Sequence, residues 1–194
     1  MGQRLRASVG DEGDDVRTKL VILEGPDAGG KSTQTDALAK ALRDHGVDAA
    51  AWHHKAPLLG GGPFAEALEY AAQRARLLAY VDRPAVLVVD RWWHSTEVVG
   101  WTRPAARDAL FRLVAAEKAQ PHAVAAVYVL DAPDPALDWR IEARGAAVTD
   151  VDRACRRVYR TASVTGPWGA VRVDADGPVE AVTAELVRRA REVL

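Results

Sequence analysis

The chain has 194 residues, with 26 Lys plus Arg against 27 Asp plus Glu; the net charge of −1 gives no general pull toward nucleic acid or an anionic membrane surface. Its single cysteine, Cys155, excludes an internal disulfide and a cysteine-rich metal centre, and its apolar runs are of strand length, too short to span a bilayer. The expectation is a cytoplasmic chain with no membrane segment, built around one core.

Residues 1–18 carry Arg4 and Arg6, then Asp11, Glu12, Asp14 and Asp15, with almost no apolar periodicity; they read as a flexible N-terminal arm ahead of a single domain over residues 19–194. Residues 19–23 form an apolar run that predicts a buried strand. Directly after it, Gly25-Pro-Asp-Ala-Gly-Gly30-Lys31-Ser32 fits G-x-x-x-x-G-K-[ST] without a mismatch. Leu38, Ala39, Ala41 and Leu42 then recur at helical spacing, so residues 33–43 predict a helix, with Gly46 at its end and a second strand over residues 47–52. His53-His54-Lys55-Ala-Pro57 and Gly60-Gly-Gly62 follow as a loop at the carboxyl end of that strand.

Pro63 opens a predicted helix over residues 63–80, on which Tyr70 and Arg74, four residues apart, share a face. Residues 85–89 are a continuous apolar strand ending in Asp90-Arg91. A short helix is predicted from Ser95 and Thr96, and another over residues 103–119. The next strand, residues 123–130, ends in Asp131; Asp134-Pro135 is expected to cap a helix that Gly145 stops. An Arg-rich helix over residues 150–162, a strand over 170–173 and an amphipathic helix over 178–193 complete the chain. Strands alternating with helices predict an α/β fold of three layers, a five-stranded parallel sheet covered on both faces.

A glycine-rich loop between a strand and a helix turns backbone N–H groups toward a polyphosphate at the positive end of that helix. Gly25, Ala28, Gly29, Gly30, Lys31, Ser32 and Thr33 are therefore candidate ATP-binding residues, with Lys31 reaching the β- and γ-phosphates. Ser32 and Asp90 are the candidate Mg²⁺ ligands, Asp90 through water, and Glu24 either assists that site or pairs with a neighbour. Lys55, Arg74 and Arg91 lie on three elements that approach one sheet edge and could converge on a second anion. Arg140 and Arg144 flank a short Gly/Ala-rich loop and read as the cations of a closing lid, whereas Arg153 and Arg156 fit a lid and a solvated helix face equally. Successive strand residues point to opposite faces, so His53 and His54 are expected as polar strand ends and not as a metal pair. Trp52, Trp92, Trp93 and Trp101 could wall a nucleobase or pack in the core.

Taken together, Glu24-Gly-Pro-Asp27-Ala-Gly-Gly-Lys31-Ser32, Tyr70-x-x-x-Arg74, Asp90-Arg91 and Leu130-Asp-Ala-Pro with Arg140-x-x-x-Arg144-Gly145 resemble the thymidylate kinases, a branch of the P-loop nucleoside monophosphate kinases, over residues 19–193. The resemblance implies Mg²⁺-dependent transfer of the γ-phosphoryl of ATP to dTMP or a related or modified pyrimidine deoxynucleotide, by a homodimer. It implies that Asp27 bonds the sugar 3′-hydroxyl, that Lys55 and Arg91 bind the acceptor phosphate, that Tyr70 stacks on the base and that Arg74 bonds its carbonyl. Arg140 and Arg144 match lid arginines and would carry the transition-state charge, since no Arg follows Asp27 in the loop. The chain departs from the family at Lys55, which replaces an Arg; at Trp92; at Thr96 beside the base; at Val99; and in a short lid without a clear Asp-Arg-x-Glu. These departures point to a specialised relative with an altered base pocket. Two other acceptors or activities share the ATP half: a kinase of a nucleoside or of a modified base in DNA, and a P-loop ATPase switch.

Overall fold

A computed structural model describes residues 18–54, 62–80, 85–119, 123–165 and 168–194. The predicted arm therefore lies outside the described residues apart from Thr18, and so does Lys55. Five strands, β1 (Lys19–Glu24), β2 (Ala49–His53), β3 (Val86–Asp90), β4 (Val124–Asp131) and β5 (Val171–Asp174), alternate with helices α1 (Lys31–Asp44), α2 (Pro63–Tyr80), α3 (Trp93–Thr102), α4 (Arg107–Lys118), α5 (Asp134–Glu142), α6 (Asp150–Thr165) and α7 (Val179–Arg191). All pairings are parallel and the sheet order is β2-β3-β1-β4-β5. The chain leaves β1 toward one edge, returns at β3, then crosses to β4 on the other side of β1. The carboxyl end of β1 thus sits where strand order reverses, the place at which open α/β sheets form a ligand crevice.

Alternation along β1 explains the three layers. Val21 and Leu23 pack on one face with Leu38 and Leu42 of α1 and Leu186 of α7. Leu20 and Ile22 pack on the other with Leu77 of α2 and Trp92, beside a cluster of Val98 of α3, Val129 and Tyr159 of α6. With both faces covered, β1 and β3 are buried from their second residue onward, which is why they read as unbroken apolar runs.

The predicted elements stand within a few residues of their places, and three differ for local reasons. Strand β2 starts at Ala49, not residue 47, because the N–H of Val47 still bonds Leu42 O (3.0 Å) and that of Gly46 bonds Arg43 O (2.9 Å), a Schellman closure of α1. The helix expected over 103–119 is a 3₁₀ turn, Pro104–Ala106, followed by α4. Asp134 does not cap α5: Pro133 precedes the helix, and the Asp134 carboxylate turns to Arg160 at 2.8 Å.

Candidate active site

The glycines of the loop after β1 meet a steric demand. A Cβ on Gly25 (φ +139°) would stand 2.2 Å from Leu130 O, and one on Gly29 would be 3.0 Å from Pro26 O, so only glycine lets the loop fold back against β4. Ala28 (φ 62°) and Gly30 (φ 85°) take left-handed backbone, and Lys31 then begins α1. The result is a cavity of about 320 Å³ lined by Asp27, Ala28, Gly30, Lys31, Ser32 and Thr33, with Asp90, Arg91, Arg144 and Asp152. Gly25 and Gly29 shape this cavity from behind without lining it.

Lys31 is buried, and its Nζ donates to Pro26 O at 2.6 Å. Burial and the neighbouring Arg91 charge bring its ammonium down to about 7, against the pull of Asp27. Beside it, Ser32 Oγ donates to Asp90 Oδ2 at 2.5 Å, while the buried Asp90 Oδ1 has no hydrogen-bond partner among the described residues. An unsatisfied buried carboxylate oxygen next to a hydroxyl suits a hard cation, so these residues fit Mg²⁺. Among the described residues no group of three His, Cys, Asp or Glu side chains forms a metal site, so a cation at Ser32 and Asp90 would draw its other oxygens from phosphate and water. His53 bridges Asp36 (2.9 Å) and Asp90 (3.4 Å), and His54 Nε2–H donates to Arg91 O (3.1 Å), the separate polar roles expected of strand-end residues.

Arg91 leaves β3 with φ 71°, a strained left-handed turn fixed by its N–H to Leu23 O (2.9 Å). The turn sends Trp92 into the core, almost fully buried, and aims the Arg91 guanidinium at the seam of the site. There it pairs with Asp27 and donates to Ser95 Oγ at 3.1 Å. Beneath it lies Glu24, wholly buried, which accepts from the N–H of Trp92 (2.6 Å), from the hydroxyl of Ser95 (2.7 Å) and from the hydroxyl of Tyr159 (3.0 Å). Glu24 is thus a structural anchor for the turn, pairing with its neighbours Trp92, Ser95 and Tyr159. Burial alone would raise its carboxyl; His94 at 3.6 Å, the Ser95 hydroxyl and the Arg91 charge outweigh that and bring it down to about 2.

A second cavity of about 290 Å³ shares Asp27, Arg91 and Asp152 with the first. Tyr70, Arg74, Thr96, Val99, His54 and Cys155 are among its walls. Arg74 is almost fully buried and holds Glu117 of α4 with two bonds, Nε to Oε1 at 2.6 Å and Nη2 to Oε2 at 2.7 Å, with a third to Thr96 Oγ at 3.3 Å. None of Trp52, Trp92, Trp93 and Trp101 lines either cavity; Trp101 instead packs half-exposed on Phe111.

The basic segment divides. Helix α5 ends in a second Schellman closure, Gly145 N to Glu142 O and Ala146 N to Ile141 O, which carries Arg144 off the helix to the wall of the first cavity. Arg140 stays on the helix and does not line that cavity: it donates to Ala28 O (3.4 Å) and Ala175 O (3.0 Å). Arg156 is buried against Asp138 at 2.6 Å, and Arg153 is exposed near Asp150. Thr149 and Asp152 form a reciprocal capping pair at the start of α6 (2.7 and 3.2 Å), placing Asp152 against both cavities. Sequence reasoning missed Ser95 and Tyr159 as partners of Arg91, and Glu117 altogether.

A parallel sheet ordered β2-β3-β1-β4-β5, with the glycine-rich loop joining β1 to α1, defines an α/β P-loop fold. No family model matches the chain, and no curated protein matches it in sequence. Among solved structures it is similar to thymidylate kinase from Ehrlichia chaffeensis, with a TM-score of 0.63 and 16% identity over 89% of this chain and 98% of that one. The likeness is one of fold, and this chain has the three-layer P-loop arrangement of that enzyme.

Proposed function

We propose that the chain is an ATP- and Mg²⁺-dependent nucleoside monophosphate kinase, transferring the γ-phosphoryl of ATP to dTMP or a related pyrimidine deoxynucleotide to give the diphosphate. The observation that carries this reading is the pair of cavities, about 320 and 290 Å³, which meet at Asp27 and Arg91. Phosphoryl transfer needs two anions held in line with charge between them, and a seam occupied by a guanidinium provides it.

In this reading the loop from Gly25 to Thr33 cradles the donor phosphates, and Lys31 recovers full charge against them. Ser32 and Asp90 hold Mg²⁺, which neutralises charge on the phosphate oxygens. Arg91, supported from below by Ser95 and Tyr159, receives the acceptor phosphate together with Lys55. Tyr70 stacks on the base, Arg74 and Thr96 meet its polar edge, and Asp27 takes the 3′-hydroxyl. Arg144, on the wall of the donor cavity, supplies positive charge to the transition state, and the lid segment closes over both ligands to exclude water. A homodimer acting in the cytoplasm belongs to the same reading; exposed Phe64, Leu68 and Trp101 offer apolar surface for it.

The test is ADP release from ATP and Mg²⁺ against a panel of nucleoside monophosphates and the matching nucleosides. Turnover with thymidylate or a modified deoxyuridylate, and none with nucleosides, is the expected result. Silence across the monophosphates would overturn the assignment in favour of a nucleoside or DNA-base kinase or an ATPase switch.

A further inference from the structure

Resting on the monophosphate-kinase reading, we infer that Glu117 is the positioning residue of the acceptor pocket: it fixes Arg74 and cancels its charge, so that the deep end of the pocket selects a neutral hydrogen-bond acceptor on the base. The second cavity has two arginines on its wall, and the structure treats them differently. Arg91 is paired with Asp27, whose carboxylate is 67% exposed and itself lines both cavities, so an incoming phosphate can displace it. Arg74 is paired with Glu117, 12% exposed and absent from the wall, so no ligand in the cavity reaches the partner.

The pairing is bidentate, at 2.6 and 2.7 Å, with the same nitrogen also 3.3 Å from Thr96 Oγ. A forked guanidinium held on two of its nitrogens has one orientation, and its plane is set by α4, which stands behind the pocket. Packing beside the Trp92 ring, 5.9 Å from its centroid, restrains it from a third side. A guanidinium compensated in this way still donates hydrogen bonds but attracts anions weakly. One end of the pocket therefore suits phosphate and the other suits a carbonyl, which fixes which way round a monophosphate enters. A carbonyl on the pyrimidine edge accepts from Arg74, whereas the amino group of cytosine presents a donor to a donor.

Calorimetric titration of the full chain with thymidylate, deoxyuridylate and deoxycytidylate, without ATP, reads this directly, followed by KM and kcat for each acceptor. The expected result is that Glu117→Gln lowers the preference for the carbonyl-bearing bases at least 10-fold, mainly through weaker acceptor binding and KM, while ATP affinity stays within two-fold. Glu117→Asp keeps the charge that the fold needs and shortens its reach, and should fall between the wild type and Glu117→Gln. Wild-type base preference in the folded variants, or a uniform loss for all three acceptors, would overturn the role of Glu117 while leaving the kinase reading intact. Failure of any monophosphate to bind the wild type would overturn both.

Discussion

Asp27 and Arg91 form an ion pair on the wall that the two cavities share. The Arg91 charge holds the Asp27 carboxyl below its ordinary range, so both are charged near neutral pH. An acceptor phosphate has to displace an exposed carboxylate from that guanidinium, and exposed pairs of this kind are worth about 0–1 kcal/mol. Asp27→Asn should therefore bind inorganic phosphate about two- to five-fold more tightly in calorimetry, while losing discrimination between 3′-hydroxyl and 3′-deoxy acceptors. Unchanged phosphate affinity would mean that Asp27 does not compete for Arg91.

Glu24 should make the protein acid-labile. Its folded carboxyl, at about 2, lies below the ordinary value of 4.5, so its contribution is fully present above pH 4.5 and is lost as pH falls toward 2. A shift of that size corresponds to about 3 kcal/mol. Urea titrations at pH 6 and pH 3 should show wild type losing about 2 kcal/mol more stability than Glu24→Gln, the remainder going only as pH falls to about 2; the variant is already destabilised at pH 6 because buried donors from Trp92, Ser95 and Tyr159 lose a charged acceptor. Equal acid sensitivity in the two proteins would contradict the anchor.

Lys31, at about 7 without ligand against an ordinary 10.5, gives a proton-linked binding signature. Its folded value is depressed, so between these limits the unfolded chain holds more protons and this group makes the fold more stable as pH rises. A polyphosphate restores the ammonium, so ATP binding at pH 8 should take up roughly half to one proton, and affinity should weaken as pH rises above about 7. Calorimetry in buffers of different ionisation enthalpy measures the uptake. Lys31→Ala should abolish it, and a wild type without uptake would show that Lys31 is charged before ATP arrives.

The parts legible in the sequence are those fixed by local chemistry. Gly25 is demanded by a carbonyl 2.2 Å from its absent Cβ, and the apolar runs of β1 and β3 are demanded by burial on both faces. Partners distant in sequence were not legible: Glu117 reaches Arg74 across 43 positions and Tyr159 reaches Glu24 across 135, and no spacing rule links them. In the sequence Trp92 suits a pocket wall and the core alike, and the left-handed turn at Arg91 directs it into the core. Arg156 was legible only as one cation on an Arg-rich helix; its burial depends on Asp138 from a different helix.

The same limit separates Arg140 from Arg144, which the sequence places on one helical face. Because α5 ends at Glu142, the two arginines have different surroundings, and their variants should fail in different ways. Arg140 ties the phosphate loop at Ala28 to Ala175, so Arg140→Ala should cost about 2 kcal/mol of stability and weaken ATP binding, with a smaller effect on kcat. Arg144 lines the donor cavity and is exposed, so Arg144→Ala should leave stability unchanged and lower kcat about 100-fold or more, as loss of a transition-state donor does. Thermal melts together with single-turnover rates at saturating ATP distinguish the two. Equal losses of kcat with equal melting temperatures would return both arginines to the lid and remove the structural role from Arg140.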